Sequence, residues 1–217
     1  MQLTPVHEFA LKAALWLPLS FVVWFGLAPL WVLPPTALAR EILLGAWPAL
    51  FTALVQGGDL LDASGRVAAH AGYLLTLTTS VLVHVPASGG SPGGVGVLEP
   101  TLNPMVYAYS LPLFSGLAMA TPLTTRRRLF ELAIAFIVIW LAQAFGIVAE
   151  SLKFVAVEAG AEGAAAAAKA GLSTSAVALA YQFGYLILPA VAPAALWIGL
   201  NRPFIERLVR RDGEPAV

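Results

Sequence analysis

Few residues in this chain have the means to do chemistry. His70 and His84 stand 14 positions apart, with Asp59, Asp62 and Glu99 in the same stretch, so a metal site or an acid-base pair is conceivable there. Their spacing matches no ligand pattern such as His-Glu-x-x-His, in which one helical turn brings two imidazoles together, and solvated loop residues is the better reading. Ser110 and Ser115 have no histidine nearby in sequence, and the stretch Gly89-Gly90-Ser91-Pro92-Gly93-Gly94 lacks the lysine and the strand-to-helix setting of a phosphate loop. Cysteine is absent, which removes disulfides, thiolate ligands and thiol nucleophiles together. The residues therefore point to no catalytic group, no metal and no cofactor.

More informative are polar residues inside apolar runs. Gln143 and Gln182, with Tyr185, could form one polar cluster, because polar side chains within a membrane usually face the interior of a bundle. Hydrogen bonding between helices is the plain reading, and a groove for a ligand or partner is the other. The run Leu102 to Pro122 opens with Asn103 and Pro104, which suit a helix start at a membrane boundary, the first as a cap and the second as a residue whose N–H is not needed. Tyr107 and Tyr109 would then lie at headgroup level. Pro112, Pro189 and Pro193 interrupt apolar runs, and the carbonyls they free must find partners inside the protein.

These residues need a scaffold, and the composition defines its class. Of 217 residues, 59% are hydrophobic and 11% charged, with a mean hydropathy of +0.82, against roughly 25% charged in ordinary globular domains. Net charge is zero, so no basic surface suggests nucleic acid. A bilayer core of about 30 Å takes about 20 apolar residues as helix. Four segments qualify: Ala13 to Leu33, which Pro34-Pro35 should end, Asn103 to Pro122, Leu129 to Val148, and Ser175 to Leu200. The expected fold is an α-helical polytopic membrane protein with about four transmembrane helices and a small extracytoplasmic β-hairpin or sheet between the first two. Residues 1–33 form the first part, 34–102 the outer region, and 103–217 the remaining spans with a basic loop and tail.

Orientation follows from the arginines. With both termini cytoplasmic, one side holds Lys12, Arg126, Arg127, Arg128, Arg202, Arg207, Arg210 and Arg211 against five acidic residues, about +3, and the other about −3. The arginine triplet reads as a topology determinant, with anionic lipid as a further contact. Ala37-Leu38-Ala39 resembles a signal-peptidase site, but the apolar run before it is longer than the usual 7 to 15 residues, so an uncleaved anchor is expected.

In the outer region, Thr36 to Val55 reads as a helix on the membrane surface or packed on the bundle, broken by Pro48; a re-entrant segment is the alternative. Tyr73 to Val85 alternates apolar and polar residues and reads as a half-buried strand. Ala87 to Gly94 would be its turn and Val95 to Glu99 its partner, with a third strand near Asp59 to Ala63. The alanine-rich stretch within Ser151 to Thr174 reads as a helical spacer.

Three passages, LWLPLSFVVWFGLAP (Leu15 to Pro29), LEPTLNPMVYAYSLPL (Leu98 to Leu113) and YQFGYLILPAVAPAALW (Tyr181 to Trp197), in this order and spacing resemble the exosortase H-associated membrane proteins of Gram-negative bacteria. The resemblance implies a bacterial inner-membrane location and, as partners, membrane lipid and exosortase H or its tagged substrates. It carries no catalytic residues. Exosortases act through a nucleophilic cysteine, and this chain has none. A non-enzymatic accessory of C-terminal protein sorting is the leading expectation; a lipid- or solute-handling protein with an intramembrane polar groove is the other. Oligomeric state is left open.

Overall fold

The computed structural model describes residues 4–62, 64–85 and 94–212, and within them the chain is mostly helical with two small antiparallel sheets. Helix α1 (Pro5–Gly26) is capped by Thr4, whose hydroxyl accepts the His7 N–H. Pro34-Pro35 was expected to end the first span, yet the helix breaks earlier, at Leu27, and α2 (Ala28–Ala46) carries both prolines inside it. The cause is local. Pro29 has no N–H to give the Phe25 carbonyl, and the weak helix former Gly26 precedes it. The Pro29 carbonyl accepts a hydrogen bond of 2.7 Å from Gln56 Nε2 of the sheet.

On α2 the residues Ala28, Val32, Thr36, Ala39 and Leu43 make a buried stripe at helical spacing, while Arg40 and Glu41 are exposed. Of the readings open for Thr36 to Val55, a helix packed on the bundle fits as far as Ala46. Beyond Pro48 the chain turns into a strand instead. Strand β1 (Phe51–Leu61) pairs antiparallel with β2 (Val67–Thr79) along its whole length, from Phe51 opposite Thr79 to Leu61 opposite Val67. The third strand anticipated near Asp59 to Ala63 is therefore the principal partner, and it starts far earlier. Its apolar start, FTALV, shows no alternation, and a bulge at Gly57, whose φ of 107° suits glycine, breaks the register between Gln56 and Gly58.

The expected strand Tyr73 to Val85 is two strands. Ser80 N–H bonds to the Leu50 carbonyl, and the chain leaves β2 there to begin β3 (Leu82–Val85), which pairs with β4 (Gly94–Val97) as anticipated. Residues 86–93, which hold most of the expected glycine-rich turn, lie outside the described residues. A short β5 (Thr101–Leu102) joins β2 and gives the order β1-β2-β5.

Next come α3 (Met105–Ala108), α4 (Ser110–Ala120) and the long α5 (Thr125–Lys153), which continues through a π-turn at Phe154–Glu158. Then follow α6 (Gly160–Lys169), α7 (Thr174–Gln182), a second π-turn at Phe183–Ile187, α8 (Leu188–Leu200) and α9 (Arg202–Asp212). Among the described residues three helical stretches are long and apolar enough to cross a membrane: Pro5–Gly26, Thr125–Glu158 and Thr174–Leu200. The second expected span is a shorter apolar helix, Met105–Ala120, interrupted at Tyr109. Helix α6 is more than a spacer. Gly163 and Ala167 are buried, and Gly163 lies so close to Ala159 and the Val155 carbonyl that no side chain fits.

Two cores stack along α5. Leu111, Phe114, Ala118, Ala135 and Ile139 form one, flanked by Trp24, Trp31, Trp140 and Trp197. The other joins Val32 and Leu43 of α2, Leu54, Leu75 and Leu77 of the sheet, and Ala144, Ile147 and Leu152 of α5. Phe9 stacks on Trp197 at 5.5 Å and meets Phe204 edge-on, so the starts of α1 and α5 share one end of the bundle with α9.

Candidate functional site

Helix α5 carries two carboxylates, Glu131 and Glu150, with no charged residue between them. Nineteen residues at 1.5 Å each separate them by about 28 Å, close to the thickness of a bilayer core. Each organises one end of the bundle, and the two ends are built differently.

At the arginine end a network of charged and polar groups ties three helices together. Glu131, 1% exposed, accepts Arg127 Nε at 2.9 Å on one oxygen and Asn201 Nδ2 at 2.9 Å on the other. Arg127 also donates to the Leu200 carbonyl at 2.8 Å. Arg128 donates to the carbonyls of Ala118, Thr121 and Leu123, each at 3.3 Å, and so neutralises the C-terminus of α4. Two members of the arginine triplet thus hold helices together, beyond any part in topology, while Arg126 makes no hydrogen bond or ion pair among the described residues. Arg202 and Arg207 lie exposed on α9; Arg210 and Arg211 fall in its last turn, and their side chains are outside the described residues.

At the sheet end a cluster of tyrosines and charges sits between the two π-turns. Tyr107 Oη donates to Glu150 Oε2 at 2.6 Å. Lys153 Nζ donates to Glu158 Oε1 at 2.7 Å and stands 4.5 Å from the centre of the Tyr181 ring. Tyr181 stacks on Tyr185 at 5.5 Å, and Tyr185 meets Tyr107 edge-on at 6.1 Å. Glycines make this approach possible. A Cβ on Gly146 would stand 2.9 Å from the Tyr107 ring, and one on Gly184 would stand 3.2 Å from Gly146 Cα. Single-turn π segments inside helices often mark functional sites, and here two of them border one cluster.

The prolines explain part of this geometry. Pro193 leaves the Pro189 carbonyl without its helical donor, and Ser110 Oγ supplies one at 2.8 Å. Pro189 has no N–H for the Tyr185 carbonyl, and the π-turn just before it shifts the pattern, with Leu188 N–H bonding to the Phe183 carbonyl.

Of the residues singled out from sequence, Asn103 acts as expected, its Oδ1 accepting the Met105 N–H at 3.1 Å, and Pro104 follows it at the helix start. Tyr109 joins α3 to α4 and is half-buried. Tyr107 does not face outward. It is 1% exposed, because it reaches inward to Glu150. The cluster of Gln143, Gln182 and Tyr185 does not form either. Gln143 is buried and its amide has no hydrogen-bond partner among the described residues, Gln182 is exposed, and Tyr185 packs on tyrosines. Glu150, Lys153 and Glu158 were missed because the third span was ended at Val148. The signal was an acid and a base three positions apart, Glu150 and Lys153, directly after an apolar run.

In the sheet, Asp59 and His70 face each other across β1 and β2, with Oδ1 3.0 Å from Nδ1, and both are exposed. Among the described residues no group of three or more histidines and carboxylates gathers as a metal site would require.

Fold and site together define a helical membrane protein with a small sheet and polar clusters at both ends of its central helix. The family model for exosortase H-associated membrane proteins matches residues 3–204, and the chain belongs to that family. No curated protein and no solved structure matches it.

Proposed function

We propose that the chain is a non-enzymatic accessory of an exosortase-type sorting system in the bacterial inner membrane, with four membrane-crossing helices and both termini cytoplasmic. The observation that carries this reading is the family match over residues 3–204. The lack of cysteine supports a helper over a sortase. The tyrosine and carboxylate cluster next to the sheet is the contact surface for the sortase or its tagged substrate.

The test is deletion of this gene alone, followed by immunoblot of cell fractions for a protein carrying the sorting tag, with a sortase deletion as control. The reading expects unprocessed, membrane-held precursor, restored by the intact gene; normal processing overturns it. Orientation is tested by labelling single cysteines, which the cysteine-free background makes clean. Ala68→Cys should react from outside the cell and Thr125→Cys should not.

A second reading, handling of a lipid or solute, is favoured by the buried amide of Gln143, which has no hydrogen-bond partner among the described residues. Normal processing in the deletion strain together with loss of function in Gln143→Leu at normal protein level would move this reading ahead.

A further inference from the structure

The arginine end has one feature that its pairing network leaves unused. A cavity of about 440 Å³ opens beside the first turns of α5, lined by Thr124, Arg126, Arg127, Phe130, Glu131 and Leu200. Its lining has a polar edge and an apolar one. Arg126 and Thr124 stand at the start of α5, while Phe130, 62% exposed, lies a turn further along, on the stretch that enters the membrane. Glu131 offers no free negative charge, since Arg127 and Asn201 occupy both its oxygens. The uncompensated charge among the lining residues is therefore that of Arg126.

We propose that this cavity binds the headgroup of an anionic phospholipid of the adjacent leaflet. The phosphate sits on the Arg126 guanidinium and the outer face of Arg127, and the first part of an acyl chain lies over Phe130 and Leu200. Charge complementarity selects an anion, because a planar guanidinium matches phosphate oxygens in a two-pronged geometry. The apolar edge selects a lipid over a free phosphate, because only an amphiphile fills both. The positive side of a membrane protein attracts anionic headgroups in general. What the cavity adds is a built position, which holds one molecule and depends on one residue. This inference is independent of any role in sorting.

The experiment uses the full chain, purified in detergent, with phosphatidylglycerol or zwitterionic phosphatidylcholine added, and bound lipid counted by native mass spectrometry. The proposal expects one retained phosphatidylglycerol and little phosphatidylcholine. Arg126→Ala should lower phosphatidylglycerol retention about tenfold, the size expected for loss of a charge-assisted phosphate contact. Arg126→Lys should keep most of it, and Arg40→Ala, at an exposed arginine remote from the cavity, should change nothing. Phe130→Ser should weaken retention while leaving the charge intact. Equal retention of the two lipids, or unchanged retention in Arg126→Ala, overturns the proposal. Displacement of the lipid by millimolar inorganic phosphate also overturns it, because that result makes the site an anion site without lipid selectivity.

Discussion

The two ends of α5 solve the same problem in opposite ways. Both place a carboxylate where a helix leaves the apolar core. At the arginine end Glu131 accepts from an arginine and an asparagine, while Arg127 and Arg128 tie α5 to backbone carbonyls at the ends of α8 and α4. At the sheet end Glu150 receives a single tyrosine hydroxyl, its neighbours are aromatic faces, and the helices on either side loosen into π-turns. The first arrangement fixes helix positions. The second spends regular hydrogen bonding on shape, and an uneven aromatic surface beside a sheet suits contact with another molecule.

The contrast predicts unequal costs. Glu131→Ala removes the acceptor of two strong hydrogen bonds and should destabilise the protein by about 3 kcal/mol, a value at the low end for buried pairs because Arg127 is half-exposed. Thermal unfolding in detergent reads this directly. Glu150→Gln keeps an acceptor for the Tyr107 hydroxyl and should cost about 1 kcal/mol or less, while processing of a tagged protein falls. Equal destabilisation by the two substitutions would remove the distinction between an anchoring end and a contact end.

A second substitution probes the packing that shapes the cluster. Gly146→Val forces two methyl groups towards the Tyr107 ring, which already stands where a Cβ would come within 2.9 Å. Overpacking of this kind costs about 2 kcal/mol, and it should also separate Tyr107 from Glu150. Gly146→Ala, a smaller intrusion, should cost less and keep more function. Identical melting for the valine variant and the parent would mean that the approach of α3, α5 and the second π-turn is not tight.

Gln143 sharpens the comparison from the middle of the helix. Its buried amide finds no partner, so Gln143→Leu removes a desolvated polar group and should leave stability unchanged or raise it by about 1 kcal/mol. If the accessory reading holds, processing stays normal. A clear loss of stability would show that the amide is paired in the membrane, by a bound molecule or by a neighbouring chain.

How much of this was legible in the sequence depended on whether a residue's role was local. The cap at Asn103 and the pairing of β3 with β4 follow from neighbours a few positions away, and both were readable. The main strand β1 was not, because its apolar start fits a helix equally well and only its pairing with β2 decides the matter. Glu150 escaped for a related reason. A span was closed after Val148 on length and apolarity, whereas the real helix continues through a π-turn to Glu158, and the tyrosine that meets Glu150 lies 43 positions earlier. Prolines misled in one place and informed in another. Pro34-Pro35 reads as a helix end because two N–H groups are missing, yet α2 continues through them on a face packed against α5. The need for an outside donor near Pro193 was readable, but Ser110 as that donor was not.

The smallest effect concerns the tip of the sheet, where pH should act weakly. In the β1–β2 turn the Asp62 carboxylate accepts the Ser64 hydroxyl at 2.6 Å, the Ser64 N–H at 2.8 Å and the Arg66 N–H at 3.0 Å. The Ser64 hydroxyl first, then the backbone N–H groups, hold its pKa below the usual aspartate value of about 3.9. A depressed carboxylate pKa means that the stabilisation is complete above the unfolded value and is lost as pH falls through the lower, folded one. Protection of the Ser64 and Arg66 amides, taken relative to the intrinsic exchange rate at each pH, should therefore hold at neutral pH and fall only below about pH 4. Asp62→Asn should lower that protection at neutral pH, flatten its acid dependence and leave the melting temperature almost unchanged, because the group is fully exposed. A large drop in melting temperature would mean that the turn is tied to the bundle core, and the sheet tip would then belong with the anchored end of the molecule.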